Sequence, residues 1–234
     1  ELSSRLYSSD GVLLKSYHRQ ERIFVPIERV PKKIINAFLS SEDKNFYSHI
    51  GIDIFAIIRA SIFNIFSKLN NERLIGASTI TQQVVKNLLL TNEVSFERKI
   101  KEILLAIRIE NILDKNQILE LYLNDIYLGF RSYGIAAASL NYFNKSINEL
   151  NLAEIALLAS LPKAPNNYNP ENFYDRAIDR RNWVIDRMYE NEFISESDLL
   201  FKNYAIQIKK RSNTAFIGGN YYYEEIRKKL FKSF

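Results

Sequence analysis

The chain has 234 residues, 47% of them hydrophobic and 25% charged, a composition that suits one folded domain with a sizeable core and excludes a disordered chain. There are 32 basic and 27 acidic residues, and the resulting net charge of +5 agrees with an anionic partner such as a membrane surface, a phosphorylated substrate or nucleic acid. The absence of cysteine excludes disulfides, thiol nucleophiles and thiolate metal sites.

The N-terminal residues 1–31 are predicted to form an extended segment packed on the rest of the domain. Residues 6–17 read as a short hairpin, with Asp10 and Gly11 at its turn. Because Glu1 is not an initiator residue, we expect this chain to be part of a longer one, with its signal or anchor upstream.

A helical pattern begins at Lys32 and runs into a dense polar group at residues 41–51. Glu42 follows the apolar stripe of this helix, and desolvation there would raise its pKa and suit a general base. An ordinary helix C-terminus with surface acids explains the same residues. His49 has no second histidine or cysteine nearby, so a structural hydrogen bond is favoured over metal ligation.

The segment Ile54–Leu69 is apolar and aromatic around most of its circumference. A buried helix is the simplest prediction for such a segment. The same residues, with Lys68 among them, also suit a helix lying in a membrane interface.

Residues 76–102 hold the most unusual pattern of the chain. Thr79 and Gln82 form a capping-box pair that opens a helix. Its apolar stripe is predicted to comprise Ile80, Val84, Val85, Leu88 and Leu89. The polar stripe comprises Thr79, Gln82, Gln83 and Lys86 and has no acid, so it suits a phosphate-type anion beside a helix N-terminus, although a capped surface helix is the alternative.

The next predicted helix is capped by Ser95 and is expected to turn Ile100, Ile103, Leu104 and Ile107 towards a core. Glu102 lies one turn after Arg98 and Lys99. This spacing is typical of a surface ion pair, and it also suits a carboxylate among cations that handle a charged substrate.

Further helices are predicted to begin at the capping pairs Asp114–Gln117 and Asn151–Glu154, and one more covers residues 174–191. Within the last of these, Arg180 and Arg181 are most simply surface charges. The main helical domain is predicted at residues 32–203. Residues 204–234 are predicted to form a strand at 204–208 and a basic linker helix.

Five motifs occur in order along almost the whole chain. They are Glu42-Asp43 with Phe46, His49 and Gly51; Gly76, residues 78–83, Lys86 and Asn87; Arg98-Lys99 with Glu102; Lys115 with residues 118–120 and 122–124; and Arg180-Arg181 with Val184. Together they resemble the peptidoglycan glycosyltransferase domain of class A penicillin-binding proteins, glycosyltransferase family 51.

This resemblance implies a mainly α, lysozyme-like fold with a small extended N-terminal piece. Its cleft would lie against the outer face of the bacterial cytoplasmic membrane, with a transmembrane anchor upstream. Residues 54–69 would match the family's membrane-dipping region, so the resemblance favours the interfacial prediction for that helix. The substrate would be lipid II, polymerised with inversion into β-1,4-linked glycan strands with release of undecaprenyl diphosphate. The partners would be the growing glycan strand and a transpeptidase domain after Phe234, and no role with nucleic acid is expected.

The resemblance also assigns roles residue by residue. Glu42 would be the general base, and Glu102 a second cleft carboxylate near the donor diphosphate. A divalent cation, Mg²⁺ or Mn²⁺, is an expected cofactor, with Glu102 as its candidate ligand. Val94 stands where many members carry a basic residue. The expected substrate contacts are Asp43, Phe46, His49, Ser78, Thr79, Gln82, Gln83, Lys86, Asn87, Arg98 and Lys99.

Three other functions compete with this interpretation. A lysozyme-like hydrolase or lytic transglycosylase would cut glycan strands instead of making them, and would have little use for an acid-free polar face beside Arg98 and Lys99. A catalytically silent scaffold would bind membrane or protein partners without needing Glu42. A nucleic-acid binder is disfavoured because the sequence has no basic stripe and no base-stacking motif.

Overall fold

The computed structural model describes residues 4–7, 13–17, 21–69, 76–91, 93 and 95–208. Most of these residues are helical, which confirms the predicted mainly α class. The α-helices are α1 (Lys32–Glu42), α2 (Ile54–Leu69), α3 (Ile80–Leu89), α4 (Phe96–Glu110), α5 (Lys115–Asp125), α6 (Ile135–Phe143), α7 (Leu152–Ser160) and α8 (Tyr174–Glu190). Short 3-10 helices cover Ile27–Arg29 and Glu196–Asn203.

The N-terminal hairpin is confirmed by strand pairing. Strand β1 (Ser4–Tyr7) pairs antiparallel with β2 (Leu13–Tyr17), while the predicted turn lies outside the described residues. A two-residue strand β3 (Glu21–Arg22) pairs parallel with β4 (Ser132–Tyr133). The Asn124 side chain then exchanges hydrogen bonds of 2.8 and 2.9 Å with the backbone of Val25, which fixes the chain to α5 just before α1 begins.

Local capping chemistry sets where the helices begin, as the sequence predicts. Reciprocal capping boxes open α3 at Thr79, α5 at Asp114 and α7 at Asn151. The Ser95 side chain accepts a hydrogen bond from the backbone N–H of Arg98 at the start of α4. Each cap satisfies N–H groups that have no partner within the helix, so these four starting points are fixed independently of tertiary packing.

The core is built around α7, whose nine residues are all buried. Helices α1 and α8 pack against it and against each other. Helix α1 contributes Ile34, Ala37 and Phe38 to this core and ends at Glu42. The first candidate catalytic carboxylate is therefore presented by the last turn of a rigid, well-packed helix.

Helix α2 is not a buried helix, so the simpler of the two interpretations of this segment is wrong. Its exposed apolar side chains are Ile54, Phe55, Ile58, Ile62, Phe63, Ile65 and Phe66, whereas Ala60 and Ser67 are the buried ones among its described side chains. An apolar run shows that a helix avoids water but does not show whether protein or lipid covers it. Among the described residues, none of the helices has the length and apolar character needed to cross a membrane.

Helices α3 and α4 also turn differently from the predicted orientation. Leu88 and Leu89, predicted on the apolar stripe of α3, are exposed. Ile100 and Leu104 of α4 are also exposed, although the periodicity predicted them to face a core. The buried residues of α4 are Glu102 and Ala106. Helix α4 can turn the Glu102 carboxylate inwards because ion-pair partners compensate the cost of burying it. Hydrophobic periodicity cannot predict such a buried charge.

The C-terminal part of the described chain is fixed by a buried arginine. Arg181 is 1% exposed, not a surface charge, and donates 2.6 Å hydrogen bonds to the backbone carbonyls of Lys202 and Tyr204. Residues 204–208 form no strand, which corrects the prediction. The Tyr204 carbonyl accepts its hydrogen bond from the Arg181 guanidinium and not from a neighbouring strand, and the Ile206 side chain packs in the core. The predicted linker helix lies outside the described residues.

A substitution at Gly51 tests how closely the loop after α1 approaches helix α4. It has φ +90°, and a Cβ at this position would lie 2.6 Å from the backbone oxygen of Ala106. We expect Gly51→Ala to lower the free energy of unfolding by about 1 to 3 kcal/mol or more, because strain and a backbone clash add. Thermal denaturation measures this loss.

Gly76→Ala is the matched control, since a Cβ there meets no atom within 4 Å. We expect its melting temperature to stay close to that of the unsubstituted protein. Equal melting temperatures for the two variants would contradict the close approach of Gly51 to α4.

Candidate active site

Glu42 is held at the end of α1 by a hydrogen bond from α3. The Gln83 side-chain amide donates to its carboxylate Oε2 at 2.9 Å. The side chain is partly buried, and this burial raises the pKa of the Glu42 carboxyl above its usual range. The Gln83 hydrogen bond and the positive charges of Arg180 and Lys163 act in the opposite direction without cancelling the effect.

Asp43 joins the end of α1 to the start of α3. Its carboxylate is buried and accepts a 3.0 Å hydrogen bond from the backbone N–H of Ile80, the first residue of α3. His49 Nε2 lies 2.9 Å from the same carboxylate, while His49 Nδ1 accepts from the Gly51 N–H. The predicted structural hydrogen bond of His49 is confirmed, and Asp43 acts here to hold the two helices together.

Three residues predicted as substrate contacts are instead buried supports. Phe46 is completely buried, with the Lys115 ammonium 4.6 Å from its ring centroid. Thr79 and Gln82 are 2% and 1% exposed, and their polar atoms serve the helix cap and the Gly51 carbonyl. The motif marks all of them, but burial leaves them no surface for a ligand, so their contribution is to position the loop and helix α3.

A second cluster surrounds the buried carboxylate of Glu102, which is 2% exposed. Arg98 Nη1 lies 3.1 Å from Oε2, and Lys99 Nζ contacts Oε1. The Lys99 ammonium also donates to the Ser78 hydroxyl, 3.0 Å away. The cluster is thus not a surface ion pair, and its two cations exceed its one carboxylate.

Helix α3 reaches Glu42, packs against the helix that carries the second cluster, and adds an exposed cation. Its Gln83 reaches Glu42, and the N-terminal approach to the helix carries Ser78, the partner of Lys99. Lys86 and Asn87 are exposed about one turn beyond Gln83. Val94 lies outside the described residues. The Glu42 carboxylate, with its raised pKa, is thus separate from the cluster formed by Arg98, Lys99 and Glu102.

A family model described as "Transglycosylase" matches residues 10–189, a range that contains both clusters. This chain belongs to the transglycosylase family. It is a glycosyltransferase domain of the class A penicillin-binding protein type, as its motifs predict. Over 230 residues it is 49% identical to penicillin-binding protein 1A of Rickettsia prowazekii, covering 98% of this chain and 29% of that protein.

More distant relatives agree with this assignment. Penicillin-binding protein 1A of Escherichia coli is 42% identical over 226 residues, which cover 97% of this chain and 25% of that protein. The crystal structure of penicillin-binding protein 1A from Haemophilus influenzae matches with a TM-score of 0.60 and 29% identity, covering 99% of this chain and 24% of that chain. The transglycosylase domain therefore spans less than a third of the length of these relatives.

The described side chains near Glu102 do not fit a resident divalent cation. Both oxygens of Glu102, the expected ligand, are already in contact with Arg98 and Lys99. Within the described ranges, His, Asp and Glu side chains nowhere gather in a group of three that would hold a metal. We therefore derive no step through a metal ion.

The site prediction did not include two cations near Glu42, Arg180 and Lys163. Arg180 of α8 is partly buried, not a simple surface charge, and its guanidinium lies 3.6 Å from the centroid of the Trp183 ring. Lys163 lies in the turn after α7. A tryptophan three residues after an arginine in a helix is a readable signal for such stacking, whereas nothing in the local pattern distinguishes Lys163.

Glu102→Gln tests the buried cluster. The substitution removes the charge that compensates Arg98 and Lys99, so we expect the free energy of unfolding to fall by about 1 to 3 kcal/mol. Chemical denaturation at low and high salt measures the loss. The loss should persist at high salt, because a buried pair is screened less than an exposed one.

Glu97→Gln is the matched control on the same helix, because Glu97 pairs with Lys101 in full contact with solvent. We expect no measurable change in its denaturation midpoint. If Glu102→Gln behaves in the same way, the buried ion pair does not stabilise the domain.

Proposed function

We propose that this domain polymerises lipid II into β-1,4-linked glycan strands, releasing undecaprenyl diphosphate with inversion at the donor sugar. One observation carries the proposal: Glu42, a carboxylate of raised pKa, is hydrogen-bonded to helix α3, which packs against helix α4 and its cluster in which cations outnumber acids. This division of charge suits a reaction that needs a base for one substrate and anion stabilisation for the other.

On the acceptor side, Glu42 takes the proton from the 4-hydroxyl of N-acetylglucosamine as the oxygen attacks the donor sugar. A carboxylate with a raised pKa is a stronger base than an ordinary glutamate. The Gln83 amide bonds to one carboxylate oxygen and orients the other towards the acceptor.

On the donor side, the leaving group is a diphosphate, which is stable as an anion and needs no general acid. Lys99, Arg98 and the exposed Lys86 supply positive charge where negative charge develops. Glu102 holds two of these cations in place. Attack from the side opposite the diphosphate converts an α linkage into a β linkage, as in inverting glycosidases.

The apolar face of α2 supports an interfacial location for this chemistry. A lipid-linked substrate is met at a membrane surface, and seven large apolar side chains of α2 are exposed. We place this face in the outer leaflet of the bacterial cytoplasmic membrane, where the domain's net charge of +5 favours anionic headgroups. In the intact protein we propose a transpeptidase domain and a membrane anchor as further parts.

Glu42→Gln tests the base directly. We expect polymerisation of labelled lipid II in detergent to fall by about 10² to 10⁴-fold, the usual effect of losing a general base. We expect the melting temperature to stay equal or rise. The folded pKa of Glu42 is raised, so its charge opposes folding at neutral pH, and a neutral amide removes that cost.

Glu28→Gln, at an exposed glutamate, is the control and should leave the polymerisation rate unchanged. Full activity of Glu42→Gln would exclude Glu42 as the base. Release of fragments from a preformed glycan, with no polymer from lipid II, would establish the lytic alternative instead.

Phe55→Ser tests the membrane face. Phe55 is 80% exposed on α2, and its removal from a lipid environment should weaken binding to phosphatidylglycerol-containing vesicles by about fivefold or more. Vesicle sedimentation measures the change. Leu200→Ser, at a residue 71% exposed elsewhere on the domain, is the matched control, and equal losses for both variants would contradict a specific role for α2.

A further inference from the structure

Charged and polar groups from several packed elements surround the Glu42 carboxylate. They include two cations, outside the Arg98–Lys99–Glu102 cluster, for which the reaction described above gives no role. The groups are Gln83 from α3, the adjoining Asp43, the Tyr122 hydroxyl from α5, Lys163 from the turn after α7 and Arg180 from α8. Of these, the arginine has a second contact that restrains where its charge can lie.

Arg180 is stacked on an aromatic ring of its own helix. The guanidinium carbon lies 3.6 Å from the Trp183 ring centroid, and Arg187 approaches the same ring at 5.7 Å. Arg180 Nε is buried and has no hydrogen-bond partner. Cation–π attraction and burial therefore hold the guanidinium against Trp183, although the helix packs directly on α1, which ends at Glu42.

The restrained guanidinium influences Glu42 through its charge and not through a hydrogen bond, since the carboxylate's side-chain partner is Gln83. A direct guanidinium–carboxylate pair would hold Glu42 firmly as an anion and weaken it as a base. We propose that Arg180 and Trp183 are positioning residues for Glu42: the ring keeps the arginine close to the base but out of a direct ion pair with it. This proposal rests on the function proposed above.

Arg180→Gln and Trp183→Leu should act in opposite directions on the pH dependence of lipid II polymerisation. Without the Arg180 charge, the Glu42 carboxyl keeps its proton to higher pH. The rate should then fall about fivefold on the acidic side of the profile and less than about twofold on its alkaline plateau. Arg180→Lys keeps the charge, so the rate on the acidic side should be largely restored.

Trp183→Leu removes the restraint and leaves the arginine free to pair with Glu42. The acidic side of the profile should move to lower pH, while the plateau rate falls about three- to tenfold because the paired carboxylate is a weaker base. The double variant should match Arg180→Gln alone, since the loss of the ring acts only through the arginine. Such non-additivity is expected of two residues that act as one unit.

Arg176→Gln is the matched control: it removes the same charge from the same helix, at a guanidinium lying over Phe173 and exposed to solvent. Its pH profile should be unchanged. Equal rate losses at every pH for Arg180→Gln and Trp183→Leu, or shifts in the same direction, would overturn the proposal. Full polymerisation by Glu42→Gln would instead overturn the function on which it rests, so the two failures are distinguishable.

Discussion

The site depends on one buried carboxylate, Asp43, that joins two helices. Asp43 accepts the backbone N–H at the start of α3 and the imidazole of His49, so that the end of one helix and the beginning of another share a single anion. An unpaired helix N–H and an unpaired buried charge are each costly, and together they leave few alternative arrangements. Glu42 and Gln83 meet because their helices are joined at this point.

Positive charge is carried by two helices, α4 and α8, and it is held in different ways on each. Arg98 and Lys99 are held by a carboxylate, which limits their motion and leaves a net positive cluster. Arg180 is held by an aromatic ring, which adds no compensating anion. In the proposed reaction, the diphosphate needs strong, partly accessible cations, whereas the base needs its neighbouring cation kept apart. The two kinds of restraint match these two requirements.

Capping pairs predicted the starts of α3, α4, α5 and α7 because a cap is a contact between residues close in sequence. Orientation was harder to predict. The exposed apolar face of α2, the exposed Leu104 and the buried Glu102 depend on what packs against each helix, which periodicity does not encode. The family motifs selected the right segments, yet they did not separate Gln83, which touches Glu42, from Thr79 and Gln82, which are buried in the cap. That distinction arises from tertiary structure.

Arg181 is a neighbour of Arg180 on α8 with a separate set of contacts. Its guanidinium binds the backbone carbonyls of Lys202 and Tyr204 and the Asn182 side chain. Backbone carbonyls are present whatever side chains occupy these positions, so this attachment survives sequence change in the segment it holds. The helix that carries Arg180 and Trp183 is thus also the element to which residues 202–204 are attached.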